Sequence, residues 1–384
     1  MNRKLRIFFT VGVLGSGGAE RAVANLASEL ARRGHDITIG FLRPGGSYAE
    51  TLHPSVRVRH LAARGRWGQL RAIDRYVRAE RPDLVFSPLF ETDVVVLLSR
   101  ILFRWPSKVA ICVQNSLVQS AAKGGAATRI LLRIEQLLAR SGTDVWFAIS
   151  RGAAGEAVQF LRAPADDIAV IPNPVVDLSS PEPQPVDLKA LFAPPITKVL
   201  IASGRLVEQK DYPTLLQAMA AVREQRPEVG LVILGEGPLR PQLEAQAAAL
   251  GMAEAVRLVG FQNDPLNWLA GADLFVLSSL WEGLANVLIE ALWCGIPIVS
   301  TDCPHGPAEV LEDGRYGRLT PPGDWRKLAD AVIEALDAPH DIAAGRERAR
   351  DFEVGTICDR YEARFERFFA PHASQRLTPT ASVV

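Results

Sequence analysis

The stretch SSLWEGLANVLIEALW, residues 278–293, joins the end of an apolar strand to the start of a helix through a tight turn. Its apolar run breaks at Trp281-Glu282-Gly283 and resumes with helical spacing through Leu284, Leu288, Ala291 and Leu292. A parallel sheet delivers its strand ends to one rim, so Glu282, Gly283 and the backbone N–H groups of Leu284, Ala285 and Asn286 are expected to face a cleft. A helix start attracts anions. Asn286 and Glu290 lie one turn apart on the same helix face, with Glu282 before them on the turn. Such a row suits a ligand that carries both hydroxyls and phosphate.

Outward from this element, strand and helix alternate over most of the chain. The first half predicts strands at 7–13, 36–42, 56–61, 84–87, 109–113 and 145–149, and helices at 19–33, 67–80, 94–103, 128–140 and 152–161. Prolines at 172, 174, 181, 183, 185, 194 and 195 then interrupt the pattern. It restarts with strands at 198–202, 231–234, 256–259, 274–277 and 296–300 and helices at 212–225, 239–250, 266–270, 287–293 and 325–336. This alternation marks an α/β protein of two doubly wound parallel sheets facing each other across a cleft. The boundaries predicted are a first domain at 1–176, a Pro-rich linker at 177–197, a second domain at 198–350, a final helix within 351–370 and a disordered tail from 371 to 384.

A chain of 384 residues is too long for one ordinary core, which agrees with two domains. Its formal net charge of zero offers no electrostatic argument for nucleic acid. The 4 cysteines, Cys112, Cys294, Cys303 and Cys358, have neither metal nor redox spacing and read as small core residues of a reducing, cytoplasmic compartment. Arg3, Lys4 and Arg6 before IFFTVGVLG imitate a secretion signal, but the β-branched run leads straight into an amphipathic helix and reads better as an opening strand. The apolar run at 94–103 is cut by Arg100 and too short to span a bilayer, so any membrane contact would be peripheral.

Several polar groups fall at the carboxyl ends of the expected strands. Gly15-Ser16-Gly17-Gly18 opens the first helix and lets backbone approach a ligand, or is a plain turn; Glu20 stands where a dinucleotide fingerprint needs its third glycine. Ser203-Gly204-Arg205 with Lys210 would neutralise a diphosphate, or form a solvated loop paired with Glu208 and Asp211. Gly235-Glu236-Gly237-Pro238 and Gly260-Phe261-Gln262-Asn263-Asp264 would touch a base or sugar, or cap helices. On the first domain Gln114-Asn115 ends a strand, and His305 follows one in the second. Gln114 has no useful pKa and cannot act as a general base. Arg129, Arg133 and Arg140 share a helix with Ile130, Leu131, Ile134, Leu137 and Leu138, which is either a face for anionic lipid or a buried stripe with a wet basic edge. Arg64, Arg66, Trp67, Arg104 and Trp105 would extend such a face.

These residues together resemble the family 4 retaining glycosyltransferases, which have the GT-B fold and use nucleotide sugars. The resemblance rests on Gly17-Gly18-Ala19-Glu20-Arg21 with its helix to Gly34-His35, Ile171-Pro172-Asn173-Pro174, Gly204-Arg205 with Lys210, Gly235-Glu236-Gly237-Pro238, and the E-x7-E element from Glu282 to Glu290. It implies that Arg205 and Lys210 hold the donor diphosphate, Glu290 the ribose, and Glu282 with the backbone after it the donor sugar. The Gly17-Gly18 loop would close on the phosphates, and the last helix would cross back to an acceptor-binding first domain. Catalytic roles fall to Glu282, Arg205 and Lys210. Relatives often carry His where this chain has Gln114, and the acceptor side is left to Gln114, Asn115 and His305.

The expected activity is transfer of a hexose or N-acetylhexosamine from a nucleotide diphosphate, UDP for preference, to a glycan or lipid-linked saccharide. No cofactor and no metal are expected, since the chain has no Asp-x-Asp pair. Two other readings stand beside this one: a catalytically silent sugar-nucleotide-binding module, and an epimerase or a phosphorylase of the same plan, the last needing a pyridoxal-bearing lysine.

Overall fold

A computed structural model describes residues 3–15, 17–43, 46, 48–61, 63, 65–123, 125–338 and 341–370. The expected disordered tail lies outside the described residues, as do Ser16 of the first glycine loop and Arg64.

The first sheet contains β1 (Arg6–Val11), β2 (Asp36–Phe41), β3 (Arg57–His60), β4 (Leu84–Ser87), β5 (Lys108–Val113), β6 (Val145–Ala148) and β7 (Ile168–Val170), in the order β3-β2-β1-β4-β5-β6-β7. The second contains β8 (Lys198–Ser203), β9 (Val229–Leu234), β10 (Val256–Gly260), β11 (Leu274–Leu277), β12 (Ile298–Thr301) and β13 (Arg318–Thr320), in the order β10-β9-β8-β11-β12-β13. Every pairing within both sheets is parallel. Central strands are apolar on both faces, as in β9, where all residues of VGLVIL are buried. Such strands need helices on either side.

Those helices are α1 (Gly18–Arg32), α2 (Gly65–Glu80), α3 (Phe90–Phe103), α4 (Leu117–Lys123), α5 (Ala126–Gly142) and α6 (Arg151–Leu161) in the first half. The second half has α7 (Tyr212–Gln225), α8 (Arg240–Ala249), α9 (Pro265–Ala270), α10 (Asn286–Cys294), α11 (Pro307–Val310), α12 (Trp325–Asp337) and α13 (Ile342–Arg350). In each sheet the strand order reverses at one place, between β1 and β4 and between β8 and β11. A crevice opens at such reversals, outside the carboxyl ends of the strands.

The last helix, α14 (Val354–Phe369), packs on the first sheet. The Tyr361 ring lies 4.8 Å from that of Phe147, Phe365 is fully buried, and Glu362 meets Arg33 at 2.7 Å and His35 Nε2 at 2.9 Å. The two chain crossings between the halves are tied together: the Val175 and Val176 N–H groups donate to Phe352 O, and the Val354 N–H donates to Val176 O. The Pro-rich segment is docked as well. The Gln184 N–H donates to Asn267 Oδ1 at 2.7 Å, the Val186 N–H to Asn267 O at 3.0 Å, and Leu188 is buried.

Three departures from the sequence expectation have physical reasons. The strands β7 and β13 have three residues each, too few to show a period. Helix α13 is rich in arginine and carries Gly345, so it lacks an apolar stripe. Helix α5 is rotated from the expected orientation: Leu132, Glu135 and Ala139 face the core while Ile130 and Leu137 are 59% and 80% exposed.

Candidate active site

The two rims enclose a cavity of about 590 Å³, a volume in the range of small-molecule sites. From the first half it is lined by Gly17–Arg21, Phe90, Glu91, Gln114, Asn115 and Asn173. The second half supplies Ser203, Gly204, Arg205, Gln209, Lys210, Gly235, Glu236, Phe261, Gln262, the turn Glu282–Val287 and Glu290.

The turn between β11 and α10 is stitched to the loop after β8. Ser278 Oγ donates to Lys210 O at 2.7 Å, Gln209 Nε2 donates to Trp281 O at 2.9 Å, and the Leu280 N–H donates to Gln209 O at 2.8 Å. Lys210 Nζ sits 2.5 Å from Glu282 Oε1, which also accepts from Ser279 Oγ at 2.6 Å. Both side chains of this ion pair are largely buried. Arg205 instead is exposed and makes no ion pair among the described residues. Glycine is required beside it: Gly235 has φ +131, and a Cβ there would collide with the carbonyl oxygen of Gly204.

Ala285, just before α10, has φ 62 and ψ 60, a left-handed conformation that costs a non-glycine residue roughly 1–3 kcal/mol. The first turn of α10 has no side-chain cap and no acidic residue. The Leu288 N–H donates to Ala285 O at 2.9 Å, which leaves the Asn286 and Val287 N–H groups, at the positive end of the helix dipole, for whatever enters the cavity. Arg205, Lys210 and this helix start share one hollow.

Contacts across the cleft involve the same residues. Asn286 Nδ2 donates to Gly18 O at 2.9 Å, and Asn173 Nδ2 donates to Asn286 Oδ1 at 3.1 Å. Arg21 Nη1 meets Glu290 Oε1 at 2.8 Å. Burial raises the Glu290 carboxyl above its ordinary pKa, with Arg21 pulling the other way. Glu20 is likewise raised by burial. Gly283 lies so close to the first domain that a Cβ would strike the carbonyl oxygen of Gln114.

Asn263, Asp264 and His305, all singled out from the sequence, lie outside the cavity wall. Asn263 is exposed to solvent, and its neighbour Gln262 lines the hollow instead. Asp264 occupies the cap position of α9, but its side chain makes no capping bond. His305 is turned to the side of the cleft, where Nε2 lies 2.7 Å from Glu156 Oε1. Glu156 also accepts from Ser116 Oγ at 2.7 Å and from the Leu117 and Val118 N–H groups. Burial raises this carboxyl, but its hydrogen bonds with His305, Ser116 and Val118 outweigh that and hold it below the ordinary value. His305 thus braces the segment that carries Gln114 and Asn115. Gln114 Oε1 is buried with no hydrogen-bond partner among the described residues. Glu236 lines the hollow while pairing with Arg240 at 2.7 Å.

Arg21, Glu91, Asn173 and Gln209 enter the site without having been assigned a part from sequence. Arg21 and Asn173 lay within motifs already marked; Glu91 and Gln209 carry no sequence signal, being placed only by folding. All four cysteines are free and buried. Among the described residues no group of three or more His, Cys, Asp or Glu is arranged to hold a metal ion, and no helix is long and apolar enough to cross a membrane.

Residues 17–174 match the model of the glycosyl transferase 4-like domain, and residues 185–352 match the model of glycosyl transferases group 1. The lipopolysaccharide core biosynthesis glycosyltransferase LpsE of Rhizobium meliloti is 29% identical over 349 residues, 88% of this chain and 91% of the relative. An uncharacterized glycosyltransferase of Methanocaldococcus jannaschii is 28% identical over 334 residues, 76% of this chain and 81% of its own length. Among solved structures, Anabaena HepE in complex with UDP-glucose superposes with a TM-score of 0.76 at 20% identity, covering 94% of this chain and 100% of that one. The architecture is that of the GT-B glycosyltransferases.

Proposed function

The chain belongs to the group 1 glycosyltransferases, and from its cleft we propose that it transfers a hexosyl or N-acetylhexosaminyl group from a UDP-sugar to a glycan or lipid-linked saccharide, with retention at the anomeric carbon and without a bound metal. The observation that carries this reading is the convergence of Arg205, Lys210 and the uncapped start of α10 on one cavity. A pyrophosphate is the ligand group that answers all three. The UDP-glucose bound by the Anabaena neighbour supports the nucleotide, and the lipopolysaccharide-core relative supports the acceptor class.

In this reading Arg205 and Lys210 hold the diphosphate, Glu290 the ribose hydroxyls, and Glu282 with the N–H groups after it the donor sugar. The bond from the anomeric carbon to the β-phosphate oxygen breaks, and its electron pair leaves with the diphosphate. The two cations and the helix start stabilise that developing charge, the service a divalent ion gives elsewhere. The acceptor hydroxyl attacks from the face the leaving group vacates and passes its proton to the departing phosphate oxygen. Gln114 Oε1, an unpaired buried acceptor on the cavity wall, orients that hydroxyl.

The test is a thermal-shift panel of nucleotide sugars followed by UDP release. A ligand at 100 times its dissociation constant stabilises by about 2.7 kcal/mol. Lys210→Met should lower the rate of UDP release roughly 10²–10³-fold, the usual loss for one donor to a developing negative charge. Absence of stabilisation by every nucleotide sugar would overturn the reading. Binding without turnover against any acceptor would reduce the protein to a binding module.

A further inference from the structure

The acceptor side of the cleft is held from the opposite domain. Gln114 and Asn115 stand between the end of β5 and the start of α4, and the carboxylate of Glu156, on α6, caps that start. Its oxygens accept from Ser116 Oγ at 2.7 Å and from the Leu117 and Val118 N–H groups. From the second domain, His305 Nε2 meets the same carboxylate at 2.7 Å, with the two side chains 19% and 11% exposed. Lys123, at the far end of α4, pairs with Glu208 at 2.5 Å, but there the side chains are 49% and 61% exposed. An exposed ion pair contributes little, and a sheltered hydrogen bond to a carboxylate contributes more. His305 is therefore the stronger of the two ties.

The loop that carries His305 is fixed on the donor side. Pro304 O accepts from the Glu282 N–H at 3.1 Å, and a Cβ on Gly306 would strike the backbone of Leu284. His305 itself has φ 64, a left-handed conformation unusual for a residue with a Cβ, so packing rather than local preference holds it there. Four residues on, Glu309 reaches the first domain as well, accepting from the Arg151 N–H at 3.0 Å and the Gly152 N–H at 3.2 Å in the first turn of α6. The imidazole lies so near Gly152 that a Cβ there would collide with Nδ1. Residues 304–309 thus bridge Glu282 and Leu284, which line the cavity, to the helix and the carboxylate behind Gln114 and Asn115.

We propose that His305 is a positioning residue for the acceptor: through Glu156 it holds Gln114 and Asn115 against the donor turn, so that the sugar passes to an acceptor hydroxyl and not to water. The proposal rests on the glycosyltransferase reading and adds to it a residue that touches no substrate. In either outcome the bond from the anomeric carbon to the β-phosphate oxygen breaks, and its electron pair leaves on UDP. The new bond forms to the acceptor oxygen in transfer or to a water oxygen in hydrolysis, and the proton of that hydroxyl or water passes to the departing diphosphate. Both courses share the donor machinery. They differ in whether an acceptor hydroxyl is oriented, and water displaced, when the bond breaks. His305→Ala leaves Glu156 bonded to Ser116, Leu117 and Val118 within the first domain, so the start of α4 keeps its cap and loses its tie to the donor side.

The experiment uses the full-length protein with UDP-glucose, in water alone and with a series of p-nitrophenyl hexosides as acceptors. His305→Ala should lower the ratio of transfer to hydrolysis about 10- to 100-fold, the loss expected of a displacement near 1 Å, with the acceptor KM raised and hydrolysis in water kept. His305→Gln, which retains an N–H donor of similar reach, should restore most of the ratio. Gly152→Ala sets a Cβ against the imidazole from the other domain, in a helix that accepts alanine readily, and should reproduce His305→Ala. The double variant should be no worse than either alone, since one contact is removed twice. Amide hydrogen exchange over residues 114–123, measured without nucleotide, should quicken in His305→Ala and not in His305→Gln. That readout needs no donor, so a protein that binds no UDP-sugar fails the donor reading while exchange still decides the brace. Transfer and hydrolysis falling in parallel, a ratio left unchanged, or exchange unaltered by His305→Ala would each overturn the proposal.

Discussion

Arg21 of α1 and Glu290 of α10 form an ion pair across the cleft, with Nη1 2.8 Å from Oε1. The two side chains belong to different domains, so the pair couples closure of the cleft to the charge on the residue assigned to the ribose. Burial is the main influence on Glu290 and raises its pKa; Arg21 opposes that shift. Removing the arginine therefore moves the pKa further up. In Arg21→Ala the carboxylate needed by a ribose hydroxyl is lost at a higher pH than in the parent. Calorimetric titration of UDP from pH 5 to pH 8, spanning roughly the range in which a raised carboxyl titrates, should show affinity falling earlier on acidification in the variant. Coincident profiles would refute the coupling.

Gly283 and Gln114 meet backbone to backbone across the same cleft. A Cβ at Gly283 would strike the Gln114 carbonyl oxygen, and the domains would have to part to admit it. Gly283→Ala should lower UDP-sugar turnover about 10²-fold, since displacements near 1 Å at a reacting centre cost that much. Its thermal unfolding should stay close to that of the parent, because the collision lies between domains rather than within a core. X-ray scattering in the presence of UDP would register the wider spacing; unchanged turnover and dimensions would rule the wedge out.

Asp93 of α3 and Glu135 of α5 are buried, and Asp93 Oδ1 and Glu135 Oε2 lack hydrogen-bond partners among the described residues. Burial pushes the Asp93 carboxyl up from 3.8 to about 8 and Glu135 well above its ordinary value, the latter raised further by Asp93. A pKa raised on folding means that the folded state holds the proton more tightly. The stabilisation is complete below the unfolded pKa and disappears as pH rises through the folded one. Urea unfolding should show the parent losing stability progressively as pH rises from about 5 through about 8, the value to which burial raises Asp93. Asp93→Asn, which has no proton to lose, should give a flatter curve. A parent whose stability rises over that interval would contradict the assignment.

Much of the architecture was legible because parallel strands buried on both faces read as unbroken apolar runs. Helices Tyr212–Gln225 and Trp325–Asp337 carry their limits in Pro213 and in the Asp324 cap, whose side chain accepts from the Lys327 N–H at 3.1 Å. Lys210 shows where local reading stops. Sequence offered Glu208 and Asp211 as its neighbours, yet its partner is Glu282, contributed by another strand end, while Glu208 pairs with Lys123 of the first domain at 2.5 Å.

The sequence by itself determined the alternation of strand and helix, the strand–turn–helix at residues 278–293 and the polar residues that gather at strand ends, because each is written in spacings of a few residues. Tertiary structure alone decided that Arg21 faces Glu290, that His305 turns away to brace Glu156, and that α5 buries a glutamate and exposes a leucine. Those outcomes depend on how two independently patterned sheets, and the helices laid upon them, are oriented against one another. No local period encodes that orientation.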